Sequence, residues 1–253
     1  MTLAIVAAMQ DELSTLLDDM GRSAQRSVHG RREFFRGELW GTPCVAVLSR
    51  IGKVAAAATV TTLIHEFAVE RLVFTGVAGG IGAGLRVGDV VVADELVQHD
   101  FDASPIFPRH EIPLLGMTRF ATDPALTARL EQAAHTYLRD DLPRELDTAV
   151  RTEFALGAPH PAPACRRGLI ASGDEFVSDA RRVAQLRADF PDLLAVEMEG
   201  AAVAQVCHEF DLPFAVVRTI SDAADDSAHV DFTRFVGAVA SRYSHGILRR
   251  LLA

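Results

Sequence analysis

Two short apolar segments that end in charged residues organise this chain: Ala195-Val-Glu-Met-Glu-Gly-Ala-Ala202 and Val216-Val-Arg-Thr-Ile-Ser-Asp222. Buried parallel strands have this pattern when they deliver polar side chains to a site at their carboxyl ends. Glu197 and Glu199 are two residues apart, so on an extended backbone they project from the same side of the strand. Simpler explanations exist, because a glutamate at a helix start and a Ser-Asp pair after a strand are ordinary capping residues. Three carboxylates and Arg218 at two strand ends nevertheless favour a functional site.

The composition is that of a globular protein. The chain has 253 residues, 49% of them hydrophobic, which suffices for a substantial core in one domain spanning residues 1–253. The formal net charge of −9 argues against a nucleic-acid or anionic-membrane partner, which would require a basic face. No apolar run approaches the roughly 20 residues of a membrane span.

The cysteines and the first residues indicate the compartment. Cys44, Cys165 and Cys207 are scattered, without the spacing of a disulfide framework or of a zinc site. The apolar residues 3–9 lack a basic segment before them and run into Gln-Asp-Glu, unlike a signal peptide. The cytoplasm is therefore the expected location, and neither a metal nor another cofactor is expected.

Predicted strands and helices alternate along much of the chain. Buried strands are predicted at residues 3–8, 72–75 and 87–94. Residues 76–84 are predicted to form a glycine-rich loop, which fits neither the dinucleotide-binding nor the P-loop pattern. Residues 139–166, rich in Arg, Asp and Pro, are interpreted as a surface excursion. The alternation favours a helix-flanked, largely parallel sheet.

The predicted strand ends carry one kind of chemistry. In open α/β sheets, ligands bind at the carboxyl ends of the strands. Four features of this chain fall at such ends: Glu12, the glycine-rich segment, the Glu197/Glu199 pair, and Arg218 with Asp222. No nucleophile motif or metal cluster is visible. Metal-free carboxylates suit cleavage of a glycosidic bond through an oxocarbenium-like transition state. One carboxyl would stay protonated through burial while another stays ionised beside a cation, for which Arg218 is the candidate.

Seven motifs follow one another in a recognisable order: Ala7-Ala-Met-Gln-Asp-Glu12, Ser49-Arg-Ile-Gly-Lys53, Thr75-Gly-Val-Ala-Gly-Gly80, Val87-Gly-Asp89, Ala171-Ser-Gly-Asp-Glu-Phe176, Val196-Glu-Met-Glu199 and Arg218-Thr-Ile-Ser-Asp222. The ordered set resembles the 5′-methylthioadenosine/S-adenosylhomocysteine nucleosidases, within the purine nucleoside and uridine phosphorylase superfamily. The likeness covers nearly the whole chain apart from about residues 139–166. It implies a single-domain three-layer α/β/α sandwich with a central twisted mixed sheet.

The resemblance implies catalytic roles for four residues. Glu12 would position and deprotonate the attacking water, with Arg218 nearby to keep its carboxylate ionised. Asp222, presented beside Ser221, would protonate or hydrogen-bond N7 of adenine and so make the base a better leaving group. General acid catalysis of this kind commonly contributes about 10²–10⁴-fold to the rate.

The resemblance also implies a binding set for an adenine nucleoside. Glu199 would accept hydrogen bonds from the ribose hydroxyls, Met198 would pack beneath the sugar, Phe176 would stack on adenine, and the backbone of Val177 would read the edge of the base. Further predicted substrate-binding residues are Met9, Ile51, Val77, Ala78, Gly79 and Glu197.

The long loop at residues 99–113 supplies the last two predicted contacts. Phe107 and Pro113 are candidates for the pocket around the 5′-substituent. In the family this loop usually reaches a partner subunit, which implies a homodimer. Core packing is the alternative explanation for Phe107, and it is weaker for Phe176.

Two features favour hydrolysis over phosphorolysis. A carboxylate at Glu12 would repel phosphate and suits a water molecule. Many family members carry Ser where this chain has Val77, and valine cannot hydrogen-bond to a phosphate oxygen or to water. The loop at residues 102–109 also differs from familiar members, so the preferred 5′-group is left open.

Three alternatives remain beside a methylthioadenosine/adenosylhomocysteine hydrolase. The first is an aminofutalosine or futalosine hydrolase, and the second is a phosphorylase. The third is a nucleoside-binding protein without activity. The presence of both Glu12 and Asp222 argues against a mere binding protein, which requires neither a water-activating base nor an acid for the leaving group.

Overall fold

The computed structural model describes residues 2–21, 24–225 and 228–253, apart from the side chain of Val230. Ten strands in these ranges form one sheet. They are β1 (Leu3–Ala7), β2 (Gln25–His29), β3 (Arg32–Leu39), β4 (Thr42–Leu48), β5 (Arg71–Gly80), β6 (Val90–Gln98), β7 (Arg119–Ala121), β8 (Cys165–Ser172), β9 (Leu193–Glu197) and β10 (Phe214–Asp222).

Helices occupy most of the connections. They are α1 (Gln10–Met20), α2 (Lys53–Phe67), α3 (Pro124–Thr136), α4 (Leu142–Glu145), α5 (Thr148–Glu153), α6 (Ala180–Asp189), α7 (Gly200–Glu209), α8 (Ala228–Phe235) and α9 (Ser241–Leu252). Single π-helical turns at Tyr137–Asp141 and Val236–Ala240 follow α3 and α8. None of the helices in the described ranges combines the length and the hydropathy that a membrane span requires.

The sheet closes partly on itself. Strand β10 pairs with β5 in parallel and with β6 antiparallel, β6 and β9 both flank β8 in parallel, and β9 returns to β5 through a short antiparallel pairing. Strands β1, β4, β3 and β2 extend the sheet outward from β5. The mixed sheet implied by the resemblance is confirmed, whereas the largely parallel sheet inferred from alternation overstates the parallel share.

Helices cover both faces of the sheet. On one face α1, α3 and α9 bury apolar side chains such as Leu16, Leu130 and Leu248 against the strands. On the other face α2 and α7 bury Val60 and Val203. The amphipathic pattern of each helix is thus satisfied by one face of the sheet, as expected for packed layers. The predicted three-layer α/β/α arrangement is confirmed.

The predicted glycine-rich loop is wrong at its beginning, because β5 continues through these glycines to Gly80. The reason is a close approach of neighbouring side chains. A Cβ atom on Gly76 would lie 3.2 Å from Arg218 Nη1, and one on Gly79 would lie 3.0 Å from Asp222 Oδ1. Glycine in a strand commonly marks such an approach. The glycines therefore let two charged side chains of β10 lie flat against β5.

Residues 139–166 are exposed over much of their length, and a few buried apolar side chains attach the segment to the core. Leu142, Leu146 and Leu156 are buried in the same core cluster as α1 and α9. Asp141 accepts two hydrogen bonds of 2.6 Å from the Arg250 guanidinium in α9. Helix α4 joins the packed layer through Leu142, whereas α5 contains no buried residue. The apolar residues of the segment are too widely spaced among polar ones to reveal these contacts in the sequence.

Candidate active site

A buried ion pair joins the two organising strands. Arg218 of β10 donates to Glu197 Oε2 of β9 through Nη2 at 2.7 Å and Nε at 3.3 Å. The side chain of Arg218 is fully buried and that of Glu197 is 3% exposed. The guanidinium lies over the ring of Phe74 in β5, 4.0 Å from its centroid. Planar guanidinium groups suit such stacked and paired positions, where lysine would not substitute.

Glu197 also caps helix α7. Its two oxygens accept hydrogen bonds of 2.9 Å from the backbone N–H of Gly200, and Ser172 Oγ donates to Oε1. Ser172 Oγ in turn accepts from the N–H of Ala201 at 2.7 Å. A carboxylate at a helix N-terminus satisfies free N–H groups and the helix dipole. Glu197 therefore lines the cavity as predicted, but its oxygens are already occupied by protein groups.

Glu199 occupies the N-cap position of α7 with its side chain turned away from the helix. Its Oε1 accepts from the N–H of Gly52 at 2.8 Å. The backbone of Met198 also hydrogen-bonds to this carboxyl, and the Glu199 side chain lines the cavity. Burial, reinforced by the charge of Glu197, raises the pKa of this carboxyl to about 7. Glu199 is thus the member of the pair that remains available to a ligand.

Glu12 is completely buried at the start of α1. Ser244 Oγ of α9 donates to Oε1 at 2.9 Å, and the N–H of Met9 donates to Oε2 at 3.2 Å. Thr75 Oγ1 donates to Ser244 Oγ at 2.7 Å and fixes its orientation. Burial raises the pKa of Glu12, and the Ser244 hydrogen bond and the charge of Arg218 offset only part of that rise.

The predicted role of Arg218 beside Glu12 agrees with an electrostatic effect and not with a direct hydrogen bond. Arg218 influences Glu12 through its charge, but its hydrogen bonds go to Glu197 and to backbone carbonyls of Phe74 and Val217. The direct partner of Glu12 is Ser244. Short motifs carry no signal for such a contact, because Ser244 lies 232 positions away on an otherwise ordinary amphipathic helix.

Asp222 ends β10 beside Ser221. Ser221 Oγ donates to Asp222 Oδ2 at 2.8 Å, and the N–H of Ala224 donates to Oδ1 at 2.9 Å. Burial is the main cause that raises the pKa of Asp222. A buried carboxyl with a raised pKa favours the protonated form, as a general acid requires.

A cavity of about 290 Å³ brings most of the predicted residues together. The predicted residues that line it are Met9, Ile51, Val77, Ala78, Gly79, Phe176, Val177, Glu197, Met198, Glu199, Ser221 and Asp222. Residues that the sequence did not single out line it as well: Ala8, Glu175, Val196 and Phe232. The rings of Phe232 and Phe176 meet edge to face with centroids 5.7 Å apart. Phe176 is 43% exposed, so core packing does not explain it.

Four predicted residues do not line the cavity. Glu12 and Arg218 lie behind it, completely buried. Phe107 and Pro113 are half-buried in the long loop, and a single chain does not bring them to the cavity as predicted. Among the described residues, no group of three or more His, Cys, Asp or Glu side chains is arranged to hold a metal ion.

The sequence model of the phosphorylase superfamily matches residues 2–253. The chain belongs to this superfamily. A 5′-methylthioadenosine/S-adenosylhomocysteine nucleosidase from Anoxybacillus flavithermus is 38% identical over 242 residues, which are 95% of this chain and 93% of the relative. The predicted resemblance to these nucleosidases is confirmed.

Two solved structures are similar to this chain in both sequence and fold. The 5′-methylthioadenosine/S-adenosylhomocysteine nucleosidase from Neisseria meningitidis in complex with methylthio-immucillin-A is 35% identical, with a TM-score of 0.84 over 99% of this chain and 97% of that chain. A futalosine hydrolase mutant of Helicobacter pylori is 31% identical, with a TM-score of 0.83 over 99% of this chain and 97% of that chain.

The ion pair between Glu197 and Arg218 is expected to stabilise this superfamily member strongly. Glu197→Gln leaves the buried guanidinium without a counter-charge, which costs about 3–5 kcal/mol for buried pairs of this kind. The free energy of unfolding in urea should fall by that order. Glu33→Gln, which removes the carboxylate of an exposed pair with Arg26, is the control and should change it little. Equal changes in the free energy of unfolding for the two substitutions would show that the buried pair matters no more for stability than the exposed pair.

Proposed function

We propose that the protein hydrolyses the N-glycosidic bond of 5′-methylthioadenosine and S-adenosylhomocysteine, releasing adenine and the 5′-thio-substituted ribose. The observation that carries the proposal is the placement of two buried carboxyls with raised pKa, Asp222 and Glu199, around one cavity, with Glu12 buried behind Met9. A metal-free glycosidic cleavage needs an acid for the leaving group, a base for water and acceptors for the sugar.

Asp222 is the proposed general acid. In its protonated form it donates to N7 of adenine, so that the base leaves neutral. Phe176 presents an exposed ring for stacking on the purine, and Val177 follows it along the same wall of the cavity. Ser221 holds the Asp222 carboxyl in place through its 2.8 Å hydrogen bond.

Glu199 and Met198 form the proposed ribose site. The carboxylate of Glu199, with Oε1 held by Gly52, accepts hydrogen bonds from the sugar hydroxyls. Met198 lines the cavity next to it and supplies a flexible apolar surface for the sugar ring.

Glu12 is the proposed base for the attacking water. Its raised pKa brings the carboxylate closer to the basicity that proton transfer near neutral pH requires. Ser244 and the N–H of Met9 fix its orientation. Val77 contributes no hydrogen bond on the cavity wall, so the water depends on Glu12 and on backbone groups.

The same residues favour water over phosphate as the attacking group. Four of the cavity-lining residues are acidic, namely Glu175, Glu197, Glu199 and Asp222, and no Lys, Arg or His lines the cavity among the described residues. Oxyanions bind where cations and N–H donors converge. Futalosine hydrolysis remains the second candidate, because the Helicobacter pylori structure shares the fold at 31% identity, whereas the more similar curated relative is a methylthioadenosine/adenosylhomocysteine nucleosidase.

The first test is adenine release from methylthioadenosine by the purified protein and by Asp222→Asn. The wild type should release adenine equally with and without phosphate and yield free methylthioribose. Asp222→Asn removes the donated proton, and kcat should fall by about 10²–10⁴-fold while the fold is kept.

The control is Asp18→Asn, at an exposed aspartate of α1, which should leave kcat unchanged. Release that requires phosphate, or an unaltered kcat in Asp222→Asn, would contradict the hydrolytic mechanism. Aminofutalosine measured beside methylthioadenosine identifies the preferred substrate.

The pKa of Glu199 predicts an acidic limb in the pH profile. Because its pKa is raised to about 7, the carboxylate is ionised above that pH and becomes protonated below it, where it accepts the ribose hydroxyls poorly. The value of kcat/KM for methylthioadenosine should therefore fall about tenfold per unit of pH below this point. Glu199→Gln should be less active and lose this limb. An unchanged limb in Glu199→Gln would assign it to another group.

The exposed apolar side chains favour a homodimer. Ile51, Val54, Ile106 and Leu114 are 62%, 81%, 82% and 96% exposed, and large exposed apolar residues of this kind mark contact surfaces. Two of them flank Phe107 and Pro113 in the long loop. We infer that this loop reaches the cavity of a second copy, where Phe107 and Pro113 would cover the 5′-substituent.

Leu114→Asp is expected to weaken this dimer, because it places a charge in an apolar contact. Analytical ultracentrifugation should show a shift from dimer to monomer, and KM for methylthioadenosine should rise. Glu111→Asp, in the same loop, is the conservative control and should leave both unchanged. A wild-type monomer would contradict the proposed assembly.

A further inference from the structure

Three arginines surround a second cavity that is separate from the nucleoside cavity. Its volume is about 330 Å³, and Arg31, Arg32 and Arg50 line it together with Gln10 and Glu33. The remaining lining is apolar and comes from α1, β3 and β4. Glu33 does not neutralise the arginines, because its carboxylate pairs with Arg26 outside this group. Within the described ranges, no carboxylate forms an ion pair with any of the three.

The arginines are held close to one another in spite of their like charges. Arg50 Nη2 donates to the backbone carbonyl of Arg31 at 2.5 Å. Arg32 donates to the backbone carbonyls of Gly30 and Ala55 at 3.3 Å, while its Nε is buried and has no hydrogen-bond partner. Burial and the charge of Arg50 both lower the pKa of Arg32. A bound anion would relieve the repulsion and satisfy the free Nε.

The backbone at this cavity is also unusual. Arg31 and Arg50 have φ angles of 60° and 66°, in the left-handed region that glycine adopts without cost. A residue with a Cβ there costs roughly 1 kcal/mol. At Arg31 the positive φ belongs to the two-residue hairpin turn Gly30-Arg31 between β2 and β3, whereas Arg50 follows β4 and is not part of a hairpin turn.

The arginine cavity adjoins the ribose end of the nucleoside cavity. Strands β1 and β4 are parallel neighbours with Ala7 opposite Leu48. Directly beyond them, Met9 and Ile51 line the nucleoside cavity, whereas their chain neighbours Gln10 and Arg50 line the arginine cavity. Consecutive Cα atoms are about 3.8 Å apart, so a substituent of several atoms leaving the ribose past Met9 and Ile51 can reach the guanidinium groups.

We propose that Arg31, Arg32 and Arg50 form a subsite for the carboxylate of the amino-acid tail of S-adenosylhomocysteine. The inference rests on the proposed function, whose two substrates differ in this respect. Methylthioadenosine ends in a neutral methyl group, and adenosylhomocysteine carries a carboxylate at the end of its 5′-substituent. Arginine recognises carboxylates through paired, charge-assisted hydrogen bonds. The subsite therefore raises the affinity for one substrate without taking part in bond cleavage.

The test compares the two substrates in Arg50→Gly and Arg32→Ala. Glycine suits the left-handed backbone at position 50, so Arg50→Gly should fold at least as well as the wild type. In each variant KM for adenosylhomocysteine should rise roughly 10- to 100-fold, the range for a lost charged hydrogen bond. KM for methylthioadenosine and kcat for both substrates should change less than about twofold. Arg36→Ala, at an exposed arginine of β3 outside the cavity, is the matched control and should alter neither KM.

The carboxamide of adenosylhomocysteine identifies the group that is bound. The wild type should have a higher KM for the amide than for the acid, and Arg50→Gly should no longer distinguish them. An acid-to-amide ratio that survives the substitution, or equal losses for both substrates, would overturn the proposal. A cavity that serves free phosphate instead would also leave the ratio unaltered. Absence of adenine release from methylthioadenosine by the wild type would refute the proposed function itself, a result that is distinct from these.

Discussion

The site depends on one buried ion pair, between Glu197 and Arg218. Removing two charges from water is costly, and such a pair persists only where further hydrogen bonds satisfy the remaining donors and acceptors. Here Ser172, the first N–H groups of α7 and two carbonyls of β5 and β10 meet that condition. The pair thereby fixes the start of α7, and with it the direction of Glu199. Catalytic geometry and helix capping share the same carboxylate.

The guanidinium of Arg218 interacts with three carboxyl groups that lie in different environments. Arg218 bonds Glu197 directly, and its charge also lowers the pKa of Glu12 and Glu199 against the stronger effect of burial. The charge of Arg218 is not among the main causes of the pKa shift of Asp222. Neighbouring acidic charges instead raise the pKa of Asp222 beyond the effect of burial. When the environments of two carboxyl groups give them different pKa values, one can act as an acid and the other as a base in the same site. Asp222, the proposed acid, is thus the carboxyl group without a cation nearby.

Residues at strand ends were predictable, and residues that support them were not. The strand-to-polar transitions at Glu197 and Asp222 follow from local patterning, and both lie at the cavity. Ser244 and Phe232 come from C-terminal helices, where a buried serine or a partly buried phenylalanine carries no sequence signal that distinguishes it from other residues facing the core. The glycines at the end of β5 make room for Arg218 and Asp222. Because this is a tertiary contact, the sequence predicts a loop there instead of a strand. The few buried leucines of residues 139–166 were not predictable, because the composition of the segment is dominated by polar residues and proline.

The closed ring of strands β5, β10, β6, β8 and β9 has a mechanical consequence. A strand within a closed ring has hydrogen-bonded neighbours on both sides, so it cannot shift along its axis without breaking two ladders at once. The ends of β5, β9 and β10 therefore behave as fixed points of a rigid frame. Ligand entry and product exit must be accommodated by loops and helices outside the frame, such as the segment with Phe176 and the helix with Phe232. The edge-to-face contact of these two rings lies outside the frame, so a change in it would not require the strand ends that carry Asp222 and Glu197 to move.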